Sequence, residues 1–238
     1  MKNILNYRML ADGKTNKDGK VIKNIYRSAD VSRASSTDIE ELLSNNICNI
    51  IDLRSSEEIS TLLNHEQISI ENIDIIGDGK QNELDKYSAA DISTMMIDLY
   101  ERKFLETSGF KKEFAYIESL QGKPFLFHCT AGKDRTGITG AILMHLLDFS
   151  YEDIKNEYLQ IDETLVMAMT NKIMKQFENL DVEVDLKALR AIASVDESFL
   201  ESFFMAVTDK YGTLDHFINV KLGITSEMID NLKKYYLV

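Results

Sequence analysis

Apolar residues in the first half of the chain fall in short runs separated by polar, turn-prone stretches. Residues 47–53, 68–76 and 124–129 are rich in Ile, Leu and Phe, the pattern of strands buried within a sheet. Helices are expected between them. Thr37 with Glu40 and Ser55 with Glu58 have the spacing of a capping box, in which a hydroxyl and a carboxylate three residues apart satisfy the free N–H groups at a helix start. After Cys129 the apolar positions recur at helical spacing almost without relief, through residues 136–147, 151–178, 196–210 and 226–236, with Gly212 and Gly223 standing where helix C-caps belong. Strands interleaved with helices and then a helical half predict an α/β fold, a central sheet flanked by helices. No repeat, low-complexity tract or Pro/Gly/Ser-rich linker divides the 238 residues, so one domain spanning 1–238 is expected.

Composition narrows the chemistry. With 44% hydrophobic and 28% charged residues the chain can bury a sizeable core and is not of the disordered class. Acidic residues outnumber basic ones 39 to 27, a net charge of -12, which excludes a broad basic face for nucleic acid; any anion must be caught locally. Two cysteines, Cys48 and Cys129, make no disulfide framework, and no Cys/His spacing resembles a zinc site, so neither a metal nor another cofactor is expected. No segment approaches the ~18 uninterrupted apolar residues of a membrane helix, and residues 1–20 lack the apolar centre of a signal peptide. Stable membrane insertion is therefore not expected. A cytoplasmic location is, with export by a route that leaves no such signal still open.

The most informative segment runs from His128 to Gly137, with the order His-Cys-Thr-Ala-Gly-Lys-Asp-Arg-Thr-Gly. It follows the apolar run Phe125-Leu126-Phe127 and precedes a helix carrying Ile138, Ile142 and Leu146 at helical spacing. A tight loop between strand and helix points successive N–H groups inward, and the positive end of the helix dipole adds to them, forming a nest for an anion. Thr130, Ala131, Gly132 and Lys133 would line that nest. Five residues separate Cys129 from Arg135, enough for the backbone to curl around a tetrahedral phosphoryl group, with the sulfur beneath phosphorus and the arginine in the first helical turn. Such a field favours the thiolate, and the planar guanidinium can hold two phosphoryl oxygens. Gly132 permits the backbone conformation that the curl demands. The segment is neither a Walker loop, since Asp134 follows Lys133, nor a Gly-x-Ser-x-Gly elbow.

His128 to Gly137 resembles the signature of the cysteine-dependent protein tyrosine phosphatases, in particular a bacterial branch of tyrosine, dual-specificity and phosphoinositide phosphatases. Asn6-Tyr7-Arg8, Tyr26-Arg27-Ser28, Ile51-Asp52-Leu53-Arg54, Tyr211-Gly212 and Leu222-Gly223 are also similar to segments of that branch. The resemblance implies a tyrosine phosphatase-like fold, Cys129 as nucleophile, Arg135 as phosphate clamp and Thr136 as a hydroxyl that helps the thiolate leave. It implies that Lys133 adds positive charge suited to highly anionic substrates, and that His128 orders the loop. The substrate would be a phosphotyrosine protein or a phosphoinositide. Some members carry a helical lid, and residues 163–185 are a candidate for it.

Such a reaction needs a proton donor. The chain has no Trp, and its one Pro, Pro124, opens the strand before Cys129, so a Trp-Pro-Asp acid loop is absent. Asp134 is the leading candidate, against the alternative of a helix N-cap. Asp52, at a strand end and near Arg54, is second; Asp78, in a Gly-Asp-Gly turn, and Asp98, in the helical-looking stretch 93–104, follow. Arg27 and Arg54 either touch substrate or pair with acids. Cys48 and His145 lie among apolar residues and are expected in the core. Leu165, Met169, Ile173 and Phe177 recur every four residues as a packing face, and Glu57-Glu58 and residues 71–74 look like solvated acidic faces. A catalytically dead module that binds phosphorylated ligands is the rival reading from another class.

Overall fold

The computed structural model describes residues 1–76, 96–178, 189–190 and 193–238. Its centre is a sheet of five strands: β1 (Arg8–Met9), β2 (Ile25–Ser28), β3 (Asn49–Asp52), β4 (Ser69–Asn72) and β5 (Phe125–His128), in the order β1-β2-β5-β3-β4. β1 is antiparallel to β2 and every other pair is parallel. β5 lies in the middle, and all four of its residues are buried. Its alternation serves two faces: Phe125 and Phe127 join the larger cluster under the helices of the second half, while Leu126 packs with Val31, Leu42, Ile47 and Ile50. Ile51 and Ile50 divide between the same two clusters on β3. Apolar runs without polar alternation are what a strand covered on both sides requires.

The register sets where chemistry can occur. Ser28 of β2 and Asp52 of β3 both stand opposite His128, so three parallel strands end level with one another. Carboxyl ends of parallel strands are where open α/β sheets bind ligands.

Helix α1 (Ser36–Ser44) opens on a capping box formed by Ser35 and Asp38, not by Thr37 and Glu40. The first hydroxyl of the Ser-Ser-Thr run takes the role because its partner also receives backbone and side-chain bonds from Lys2 and Asn3. The Ser55/Glu58 spacing starts no helix; only the Ser55 N–H to Glu58 bond forms, at 3.0 Å, because Glu58 has another partner. A π-helical turn, Leu99–Lys103, runs into the short α2 (Phe104–Glu106), followed by α3 (Gly109–Ser119). Beyond β5 come α4 (Asp134–Leu146), α5 (Tyr151–Tyr158), α6 (Glu163–Glu178), α7 (Glu197–Tyr211), α8 (Leu214–Val220) and α9 (Ser226–Tyr236). The stretch expected as one helix over 151–178 is thus two, and α8 was not anticipated. Gly212 closes α7 with φ +80°, as its C-cap position implied.

Two expectations about single residues change. Cys48 is only half-buried, one residue before β3 begins. His145 is not in the core: on the last turn of α4, its Nε2 lies 2.7 Å from exposed Asp215. None of the helices among the described residues is long and apolar enough to cross a membrane.

One acid is placed where charge is unwelcome. Glu113 of α3 is fully buried, accepts a 3.0 Å bond from the Thr139 hydroxyl of α4, and has no partner on Oε1. Burial, only partly offset by Thr139, pushes its pKa up to about 8. Its folded value lies above the unfolded one, so its contribution is fully present at low pH and is lost as pH rises towards 8. Glu113→Gln is expected to gain Tm over the parent by a margin that widens by at least ~5 °C between pH 5 and pH 8.5, read by thermal unfolding.

Candidate active site

The loop between β5 and α4 is bent by Gly132, whose φ is +64°. A Cβ at this residue would lie 2.1 Å from the Ser28 carbonyl oxygen, so both the turn and the approach of β2 require glycine. Two donors hold the outer side of the bend: Arg27 Nη2 at 2.9 Å and Asn6 Nδ2 at 3.0 Å, both to the Gly132 carbonyl. Arg27 is 1% exposed and reaches Glu157 Oε1 at 3.3 Å; Arg8 Nε binds the same oxygen at 2.8 Å, and Arg8 Nη1 donates to Asn6 Oδ1 at 2.7 Å. Burial, reinforced by Arg8, pulls the Arg27 guanidinium down to about 10. Buried charges cost several kcal/mol each unless paired and hydrogen-bonded, and here two arginines share one carboxylate directly behind the loop.

Cys129 and Arg135 bracket the loop and both are buried, at 2% and 5% exposure. Glu58 takes Arg135 end-on, with Nη1 at 2.5 Å and Nη2 at 2.8 Å, while Nη1 also donates to the Leu53 carbonyl. Glu58 Oε1 accepts the Thr130 hydroxyl as well, at 2.7 Å. Burial works against the charge on Glu58, but Arg135 and Thr130 outweigh it and hold the carboxyl at about 2. Burial likewise opposes the charge on Arg135, and the Cys129 sulfur and Glu58 together lift it above the ordinary arginine value. These bonds occupy Nη1 and Nη2 and leave the Nε edge without a protein partner among the described residues.

Asp52 and Arg54 settle against each other. Arg54 Nε and Nη2 bind the two Asp52 oxygens at 2.9 and 2.7 Å, and Nη1 reaches Asp30 at 2.8 Å. Asp52 is fully buried against Arg54, and Arg27 and Arg54 are each paired with an acid. His128 Nδ1 lies 3.0 Å from the Cys129 carbonyl, which can only accept, so Nδ1 carries the proton. Burial lowers the pKa of the imidazole, and Nε2, 3.9 Å from Asp52, is without a hydrogen bond. The Thr136 hydroxyl, one residue beyond Arg135, is also buried and unpartnered.

Asp134 is not the helix N-cap. It is the first residue of α4, and Oδ1 receives the Tyr100 hydroxyl at 2.7 Å and Lys133 Nζ at 2.9 Å in place of backbone N–H groups. Lys133 is 3% exposed, so its charge is held at Asp134 and is not free in solvent. Asp98 lies on the surface, paired with Arg102. Asp78 lies outside the described residues. No group of three or more His, Cys, Asp or Glu that could hold a metal occurs among the described residues.

The profile of the Tyrosine phosphatase family matches residues 1–238. The chain belongs to the tyrosine phosphatase family. It is 23% identical over 222 residues to a Cupriavidus necator chain whose name places it among the tyrosine-protein phosphatases, covering 90% of this chain and 78% of that one. It is 22% identical over 247 residues to the triple specificity protein phosphatase PtpB of Mycobacterium tuberculosis, covering 88% and 89%. A tyrosine-protein phosphatase of Nostoc commune shares 30% identity over 141 residues, 56% of this chain and 46% of that one. The protein is accordingly a phosphoric monoester hydrolase acting on phosphorylated substrates.

The phosphatase brings Cys129, Arg135 and the loop between them to the level edge of the sheet, with Asp134 and Lys133 beside them. It also brings in three residues that sequence reasoning did not assign to the site: Glu58, Glu157 and Tyr100. Glu58 stood in an apparent solvated face, and only its spacing from Ser55 marked it, for a different role. A carboxylate that aims the guanidinium should matter to transition-state charge stabilisation. Glu58→Ala is expected to lower kcat/KM for an aryl phosphate ~10- to 100-fold, with an unchanged far-ultraviolet circular dichroism spectrum as the check on folding.

Proposed function

We propose that residues 1–238 form one phosphatase domain that hydrolyses phosphotyrosine in two steps through a phospho-Cys129 intermediate. The Cys129 thiolate attacks phosphorus, forming the S–P bond as the P–O bond to the tyrosine breaks. Asp134 gives its proton to the departing phenolic oxygen. In the second step water attacks phosphorus and passes a proton to the Asp134 carboxylate, while the S–P electron pair returns to sulfur, helped by the Thr136 hydroxyl. Backbone N–H groups of Thr130, Ala131, Gly132 and Lys133 and the Nε edge of Arg135 hold the phosphoryl oxygens. His128 and Asp52 support the loop and the strand end.

The observation that carries this reading is the shared burial of Cys129 and Arg135 at the two ends of one loop closed by Gly132. Binding alone would need no buried sulfur there, which weighs against a catalytically dead module. Lys133 held by Asp134 favours a single aryl phosphate over the more anionic phosphoinositide headgroup, for which a free lysine would serve better. Leu165 of α6 packs with Ala131 of the loop and Ala29, which supports reading residues 163–178 as part of a cover over the site; residues 179–185 of that candidate lid lie outside the described residues.

Cys129→Ser is expected to abolish turnover of 4-nitrophenyl phosphate while inorganic tungstate still binds. Undiminished turnover in that variant would exclude the mechanism. Phosphate release from a phosphotyrosine peptide should exceed that from a 3-phosphoinositide in vesicles, and the reverse order would move the assignment to lipid.

A further inference from the structure

Tyr100 is the residue of this molecule whose placement the two-step chemistry leaves unexplained. It is fully buried in the π-helical turn Leu99–Lys103, a geometry rare in proteins and concentrated at functional sites. Its ring stacks on Phe199 at 5.6 Å and meets Phe104 edge-on at 5.1 Å, which fixes the side chain, and its hydroxyl sits 2.7 Å from Asp134 Oδ1 and 2.8 Å from the Tyr158 hydroxyl. A phenol has one proton to give, and the carboxylate can only accept, so Tyr158 donates to Tyr100 and Tyr100 donates to Asp134. The second hydroxyl reaches this position because Gly137 leaves room: a Cβ there would lie 2.8 Å from the Tyr158 ring. Burial first, and then the Asp134 charge, keep the Tyr100 phenol protonated far above neutral pH, so the donor is permanent.

We propose that Tyr100, backed by Tyr158, is a positioning residue that commits Asp134 Oδ1 to acceptance and thereby presents the acidic proton on Oδ2, toward the leaving group. This rests on Asp134 being the proton donor. Lys133 Nζ adds a second donor to the same oxygen at 2.9 Å, leaving Oδ2 as the oxygen that accepts no hydrogen bond among the described residues, on a carboxylate that is 19% exposed. As the P–O bond breaks, the proton moves from Oδ2 to the leaving oxygen, and the new carboxylate charge is met at Oδ1 by donors already in place, so no reorganisation is needed at that moment.

The test is the dependence of kcat/KM on the leaving group, which a merely structural role would not skew. Tyr100→Phe keeps the ring packing and removes the donor. It is expected to lose ~10- to 100-fold on phenyl phosphate, whose leaving group needs the proton, and under ~3-fold on 2,4-dinitrophenyl phosphate, whose leaving group does not. Asp134→Asn measured alongside separates the two layers. If Asp134→Asn is skewed in this way and Tyr100→Phe loses equally on both substrates, or on neither, the positioning role is wrong while the proton donor stands. If Asp134→Asn shows no skew, the proton donor itself is misassigned and the inference falls with it. Tyr158→Phe, further from the carboxylate, should show the same skew with a smaller amplitude, which keeps the question answerable if Tyr100→Phe folds poorly.

Discussion

Everything in the site depends on the approach of the loop to β2 at Gly132. The bend puts one carbonyl outward, and that carbonyl must be satisfied away from water if the opposite N–H groups are to face an anion. Arg27 and Asn6 meet it, Arg8 fixes Asn6, and Glu157 fixes both arginines. The loop is therefore shaped from behind, by side chains that never need to touch a substrate. The positive φ at Gly132 and the 2.1 Å approach of a hypothetical Cβ to Ser28 are two expressions of the same constraint.

Charge is arranged with comparable care. In a chain of net charge -12, each cation at the site is matched: Arg135 to Glu58, Lys133 to Asp134, Arg54 to Asp52 and Asp30, and Arg8 with Arg27 to Glu157. Matched pairs hold geometry and lower the desolvation penalty, and under the proposed mechanism they leave the anion to be caught by backbone N–H groups, the helix end and one edge of Arg135. Under that proposal an acidic protein would bind phosphate through a short-ranged, local attraction, while long-range steering is weak or repulsive. His128, its pKa lowered by burial, is bonded to the Cys129 carbonyl, as an orienting group beside the sulfur would be under the same proposal.

The aromatic layer around Tyr100 joins the site to the helical half. Phe104, Phe199 and Tyr158 come from three separate helical elements, and they converge on the one hydroxyl that reaches Asp134. Stability of the core and placement of the carboxylate are thus the same packing problem, and the π-helical turn is where the backbone yields to it.

The amino-acid order by itself determined the two central strands, β3 and β5, the strand-loop-helix at residues 128–137 and the spacing of Cys129 from Arg135, because these follow from unbroken apolar runs and from spacing within a few residues; the run 68–76, expected to be buried, forms β4 at the exposed edge of the sheet. Helix limits were legible where caps are local, as at Gly212, and not where a cap's partner lies elsewhere, as at Ser35, whose Asp38 also binds Lys2 and Asn3. β1 and β2 were not read, since two- and four-residue strands carry too little pattern. Only the tertiary structure decided that Glu58 belongs to Arg135, that Asp52 is sealed against Arg54, and that Asp134 faces Tyr100 instead of capping its helix. Each of those is a contact between residues from 2 to 77 positions apart in which a polar group can take several partners, and the choice among them is made by which strand ends the sheet register brings level and which side chains the core leaves room for.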